Sequence, residues 1–381
     1  MDSLKKNGPI ILILLLTLIP RFLMFPFESG DYTSNLSLWY DQLKTEGFQS
    51  LKTGFHDYTP PYLYLLYLVG FLGLPKLYAI KLIGLLSDYL LTVSVFLLVK
   101  EKHGKKPGFM AAILALYLPT VLINASLWGQ CDSLYTAFLL LALHQWMKNQ
   151  DRRAMLFWGI AFALKIQSVF LLLVPAALLA KKQMSWKEIV WVPLIYLIAI
   201  LPNWLAGRPF LDLLGIYLHQ SGEHTGLSSF APNVYQWLSW APNELFTQIG
   251  IGFVGSVCGL FFLFMIYHKA ELKKERILQI ALFSALFIPF FLPRMHERYF
   301  FLADILSLVY AFYFPRKWYL PLLIVSASFF SYLYFLFSTL IVFPFSILAA
   351  LNALALILVG KDLFQTLVLD DGSISDSQST L

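Results

Sequence analysis

Leu77–Val99 reads LYAIKLIGLLSDYLLTVSVFLLV. The run is apolar apart from a few hydroxyls and two charges, Lys81 and Asp88. About 20 such residues, rising 1.5 Å each as a helix, cross the ~30 Å hydrocarbon core of a bilayer. Comparable runs lie near Pro9–Phe27, Gly108–Leu127, Ile189–Leu205, Phe246–Tyr267, Ile277–Leu292, Trp318–Phe337 and Leu340–Gly360. Shorter ones lie at Ser133–Met147, Ala154–Ile166, Ser168–Ala180 and Tyr299–Phe314. Together they predict an all-α, polytopic transmembrane helical bundle of about twelve helices. Composition agrees. The chain has 381 residues, 59% hydrophobic and 13% charged, with mean hydropathy +0.69. An ordinary soluble protein has roughly 45–50% and 25%. A soluble enzyme, a disordered tail protein and a nucleic-acid-binding domain are therefore excluded. Cys131 and Cys258 form no disulfide framework and no CxxC metal site.

Sidedness follows from the basic residues. Lys5 and Lys6 precede the first run, which no A-x-A cleavage pattern follows, so it reads as a retained signal anchor. With the amino terminus cytoplasmic and the runs alternating, 19 of the 28 Lys and Arg fall inside, in clusters such as Lys100–Lys106 and Lys269–Arg276. That bias obeys the positive-inside rule and explains the net charge of +6. Tyr62–Leu74 is too short to span and reads as an interfacial helix entered through Pro60-Pro61. The transmembrane domain is expected over 1–367, with long outer loops at 28–74 and 206–245 carrying amphipathic helices. Residues 368–381 (VLDDGSISDSQSTL) read as a flexible polar cytoplasmic tail. The expected location is the plasma membrane, multi-pass, with both termini cytoplasmic.

Charges near membrane depth are expensive and tend to be functional. Four outer sets stand out. Glu28-Ser29-Gly30-Asp31 offers a carboxylate that can act as general base on a hydroxyl, or Asp31 can cap the helix that follows. His56-Asp57 adds an imidazole and a second acid, or forms a self-capped turn. Trp128-Gly129-Gln130-Cys131-Asp132 places an amide and an acid toward protein or a water-filled cavity, unless Asp132 caps the next helix. Arg294, His296, Glu297 and Arg298 share one turn, where two guanidiniums suit phosphate oxygens; the alternative is a charged turn whose ends snorkel. Lys165 and Gln167 sit at the apex of a hairpin, where the lysine needs an anion: Asp132, Asp88 or a lipid phosphate. Gly250-x-Gly252-x-x-Gly255 lies in an apolar run with no strand before it and, with Gly255-x-x-x-Gly259, reads as helix packing.

The stretches SGDYTSNLSLWYDQLKTEGFQSLKTGFHDYTPPYLYLLYL, WGQCDSLY, ALKIQSVFLLLVP and FLPRMHERYF occur in this order between residues 29 and 301. In these the chain resembles the GT-C class of polytopic glycosyltransferases, closest to bacterial proteins related to the second mannosyltransferase of the GPI-anchor pathway. It departs where the family often has Asp-Tyr-Pro-Pro-Gly and this chain has Asp57-Tyr58-Thr59-Pro60-Pro61-Tyr62. The resemblance implies a hexose, mannose by family default, transferred from a polyprenyl-phosphate donor lipid on the extracytoplasmic face. It makes Asp31 the base. The acceptor would be a hydroxyl of a glycan, glycolipid or protein, oriented by Glu28, His56 and Asp57. Lys165, Gln167, Arg294, His296 and Arg298 would hold the donor phosphate, supported by Gln130, Asp132 and Glu297. No cofactor is expected; a divalent metal on Glu28, Asp31 and Asp57 is the weaker alternative. The rivals are a lipid or sugar transporter or flippase, for which mid-span Asp88 speaks, and a non-catalytic assembly subunit.

Overall fold

The computed structural model describes residues 12–55, 58–222, 226–238, 240–269, 271–338 and 342–369. They are helical apart from loops and one parallel pair of two-residue strands, β1 (Ser228–Ser229) and β2 (Met295–His296). The apolar helix Leu12–Met24 is broken by a turn at Thr17, and its second part is α1 (Leu18–Met24). Then come α2 (Ser37–Glu46), α3 (Pro60–Val69), α4 (Lys76–His103) and α5 (Lys105–Tyr117). Next are α6 (Asp132–Trp146), α7 (Asp151–Leu164), α8 (Leu173–Ala180) and α9 (Trp191–Leu205). The rest are α10 (Asn243–Tyr267), α11 (Lys274–Phe291), α12 (Phe301–Tyr313), α13 (Leu320–Phe337) and α14 (Phe345–Leu369).

Among the described residues five helical segments are long and apolar enough to cross a membrane: 76–103, 186–205, 243–267, 315–337 and 345–367. A sixth arises if α5 and the helical stretch Pro119–Trp128 count as one span, bent by 53°. The bend has a local cause. Leu118 precedes Pro119, is pushed out of the helical region, and takes ψ 129°. The other expected crossings are shorter: α6 has 15 residues, α7 has 14, α12 has 13 and α8 has 8. A 15-residue helix is only about 22 Å long. By length and composition together five or six crossings qualify among the described residues; the rest of the twelve expected runs, α11 with its 18 residues among them, fall outside that count. The expected last span also shifts: its helix starts at Phe345 and runs to Leu369, past Gly360. The predicted tail overlaps that helix by two residues, and 370–381 lie outside the described residues.

The core lies among α4, α6, α11 and α12, whose inward residues (Leu98, Leu139, Leu282, Leu306) are fully buried. α4 is 61% buried over its apolar window, whereas α10 is 17% buried and lies at the periphery. The expected glycine packing of α10 holds at one position. A Cβ on Gly250 would strike the Tyr235 hydroxyl and the Phe291 carbonyl, but Gly252, Gly255 and Gly259 have no neighbour within 4 Å of such a Cβ. Among the described residues nothing packs closely against those three glycines. A buried ion pair, Arg21 with Asp88 at 2.9 Å, ties α1 to α4. Arg21 also donates to the Leu116 carbonyl (3.0 Å), and the Ser133 hydroxyl donates to Asp88 (2.6 Å).

Candidate functional site

The site grows from two irregular turns. The first follows α1: Asp31 precedes a π-helical turn, Tyr32–Leu36. The second is another π-helical turn, Ile123–Trp128, that ends at Gly129 with φ +86°, where glycine is required. Such turns widen the helix and re-aim side chains. They meet because Ser29 Oγ donates to the Trp128 carbonyl at 2.6 Å. Asp31 Oδ2 then accepts from Trp128 Nε1 (2.9 Å) and Gln130 Nε2 (2.6 Å). Asp31 is not acting as a helix cap, since its side chain makes no capping hydrogen bond. Gln130 is itself fixed, its Oε1 accepting from the Tyr58 hydroxyl at 2.8 Å.

Asp132 is held differently. It begins α6 without capping it; its carboxylate accepts from Asn124 Nδ2 (2.7 Å), while its own N–H donates to Asn124 Oδ1 (3.2 Å). Lys165 lies in extended backbone at the break after α7, and its Nζ reaches Asp132 Oδ1 at 2.6 Å. Of the three partners considered for Lys165, the ion pair falls to Asp132; Asp88 belongs to Arg21. Gln167, on the next 3₁₀ turn, is buried and lines the same cavity.

The third wall is the turn between α11 and α12. Arg294 sits at φ +62°, and its N–H donates to the Leu227 carbonyl at 2.8 Å, so β1 pins this turn through β2. Arg298 stands amid three carboxylates: Glu297 at 3.2 Å, Asp31 at 3.6 Å and Asp132 at 3.8 Å. Its guanidinium also lies 5.4 Å from the Trp128 ring centroid. His296 Nδ1 is 3.8 Å from Glu297 Oε2.

These groups border one cavity of about 550 Å³. Asp31, Gln130, Lys165, Gln167, Arg294, His296 and Arg298 line it; Asp132 and Glu297 lie just behind, with side chains 4% and 0% exposed. Asp31 is 21% exposed, more than either of those two acids. Lys165 pairs with Asp132, and Arg298 lies beside Asp31, Asp132 and Glu297; Arg294 adds a third cation to the lining. Burial works against the charge on Lys165, but neighbouring Asp132 outweighs it and holds the ammonium above the ordinary lysine range. Arg298 is likewise held well above its ordinary value: burial opposes, and Tyr58, Asp31, Glu297 and Asp132 prevail. Burial pushes the Tyr58 phenol up, so it remains a donor.

Glu28 is exposed and does not line the cavity, so an acceptor-orienting role for it has no geometric support. His56 and Asp57 lie outside the described residues. Among the described residues no group of three or more His, Cys, Asp or Glu converges as a metal site. Sequence reading met Asn124 only in the chance glycosylation sequon Asn124-Ala125-Ser126, and did not assign roles to Trp128 and Tyr58. A signal for Asn124 existed: an amide inside an apolar run needs a partner. No protein-family model matches the chain, and no curated protein matches it in sequence.

Proposed function

We propose that the chain is an integral-membrane inverting glycosyltransferase that moves a hexose, mannose by its resemblance, from a polyprenyl-phosphate donor to an acceptor hydroxyl on the extracytoplasmic face, within a GT-C-like bundle. The observation that carries this reading is the state of Asp31. Its Oδ2 is fixed by two N–H donors with Arg298 beside it, while Oδ1 makes no hydrogen bond among the described residues and the acid lines the cavity.

In this reading Asp31 Oδ1 takes the proton of the acceptor hydroxyl as its oxygen attacks the anomeric carbon. The bond from that carbon to the phosphate oxygen breaks on the opposite side. The phosphate leaves as an anion and needs no general acid. Lys165, Arg294, His296 and Arg298 face the space where its charge grows, an electrostatic effect that often exceeds that of the base. The Trp128 and Gln130 donors keep the carboxylate aimed. Metal plays no part in the reading.

The test is donor consumption in proteoliposomes containing polyprenyl-phosphate-mannose. Asp31→Asn should slow turnover by roughly 10²–10⁴-fold, the usual contribution of a positioned base. Near-normal turnover would remove Asp31 from that role.

A further inference from the structure

Lys81 lies inside α4 with its side chain fully buried. Its Nζ lies within hydrogen-bonding distance of four main-chain oxygens: Phe27 at 2.6 Å, Phe25 at 2.9 Å, Leu127 at 3.0 Å and Met24 at 3.3 Å. Three of these belong to the chain leaving α1. The fourth belongs to the π-helical turn that carries Trp128. Helix ends expose carbonyls without intrahelical partners, and the dipole makes them a favourable place for a cation. An ammonium with three N–H groups joins both ends at once.

The join is placed to matter. Four residues beyond Phe27 is Asp31; one and three residues beyond Leu127 are Trp128 and Gln130, whose side chains hold Asp31 Oδ2. Between them the Ser29 hydroxyl bonds the Trp128 carbonyl. A Cβ on Gly129 would lie 3.8 Å from Lys81 Cε, so the turn lies directly on the lysine stem. We propose that Lys81 is a positioning residue for Asp31: it clamps the two turns that carry the acid and its donors. The role rests on reading Asp31 as the base. Lys81 itself is buried beneath these turns and touches no substrate. Without the clamp four carbonyl groups lose a donor, and the acid can drift relative to Trp128 and Gln130.

The experiment compares Lys81→Met, Asp31→Asn and the double variant in proteoliposomes with polyprenyl-phosphate-mannose. It is paired with hydrogen exchange on the same full-length proteins. Lys81→Met should lower kcat by about 10²-fold, the scale of a misplaced reacting group, while donor KM changes by no more than about twofold. In the Asp31→Asn background the same change should cost less than about threefold, because the positioned group is gone. A merely structural lysine would cost the same in both backgrounds, and that result overturns the proposal. Exchange should quicken over residues 28–36 and 123–132 and stay unchanged elsewhere; unaltered exchange there also overturns it. If the unmodified protein consumes no donor, the transferase reading falls, and exchange alone decides whether the clamp exists. Where Lys81→Met yields no folded protein, Lys81→Gln removes the charge but keeps two donors, and the same outcomes apply at smaller size.

Discussion

Lys165 and Asp132 form an ion pair with side chains 10% and 4% exposed. Breaking such a pair is costly because it strands a buried charge, by about 3–5 kcal/mol. The two halves are not equivalent. Among the described residues Asp132 has a second cation in Arg298, whereas the ion pair of Lys165 is with Asp132. Asp132→Asn should therefore lower the melting temperature in detergent more than Lys165→Met; the reverse order would place the pair's energy elsewhere. The pH dependence has a definite sign. Lys165 is raised on folding, so its contribution is complete below its unfolded value of about 10.4 and is lost only as pH rises through the higher folded value. The chemistry-bearing types (Asp31, Lys165, Arg298) are legible in the sequence because charge at membrane depth needs a reason. Their pairing is not. Lys165 had three conceivable anions, and which one it meets depends on how α6 and α7 pack. The pairing of Asn124 was not legible because its partner, Asp132, lies across a turn whose π geometry no propensity signals.

At the scale of elements, Gly84 decides how closely α4 approaches the turn that carries Gln130. A Cβ there would lie 2.6 Å from the Gln130 carbonyl oxygen and 3.0 Å from Ala125 Cβ. Gly84→Ala adds helix propensity worth about 1 kcal/mol, but overpacking against main chain costs roughly 1–3 kcal/mol. The variant should melt lower and, in the proposed reaction, turn over more slowly. A higher melting temperature would show that the turn yields. The long apolar helices α4, α10 and α13 follow from their sequence runs almost residue by residue. The run Gly108–Leu127 does not, because Pro119 splits it and the resulting bend aims Trp128 at Asp31. The glycine spacing of α10 misleads for another reason. It marks where a close partner could fit, and in this chain only Gly250 has one.

At the scale of the whole molecule, two groups of charges lie at opposite ends of α11. The cavity end holds Asp31, Lys165 and Arg298. The other end is stitched by Lys274 with Glu101 at 2.7 Å and Lys102 with Glu275 at 3.1 Å. The 18 residues of α11, about 27 Å of helix, lie between them. Single cysteines at two exposed positions, Ser34→Cys and Lys105→Cys, test this in a background with Cys131→Ala and Cys258→Ala. An impermeant maleimide should label Ser34→Cys in intact cells and Lys105→Cys only after permeabilisation. Labelling of both from one side would sink the proposed sidedness. The segregation of basic clusters was legible in the sequence; the number of crossings was not, since helices of 13–15 residues can be core as readily as span.

Lys165, Arg294 and Arg298, which line the cavity, are equalled in number by Asp31, Asp132 and Glu297 in or beside it, and this has a consequence for selectivity. An electroneutral vestibule exerts little attraction beyond a few water diameters. Small ions wandering through the aqueous phase are not gathered there. In the proposed reaction a charged head would gain its hold only on arrival, at contact range, which suits a donor delivered sideways along the bilayer by its own greasy anchor.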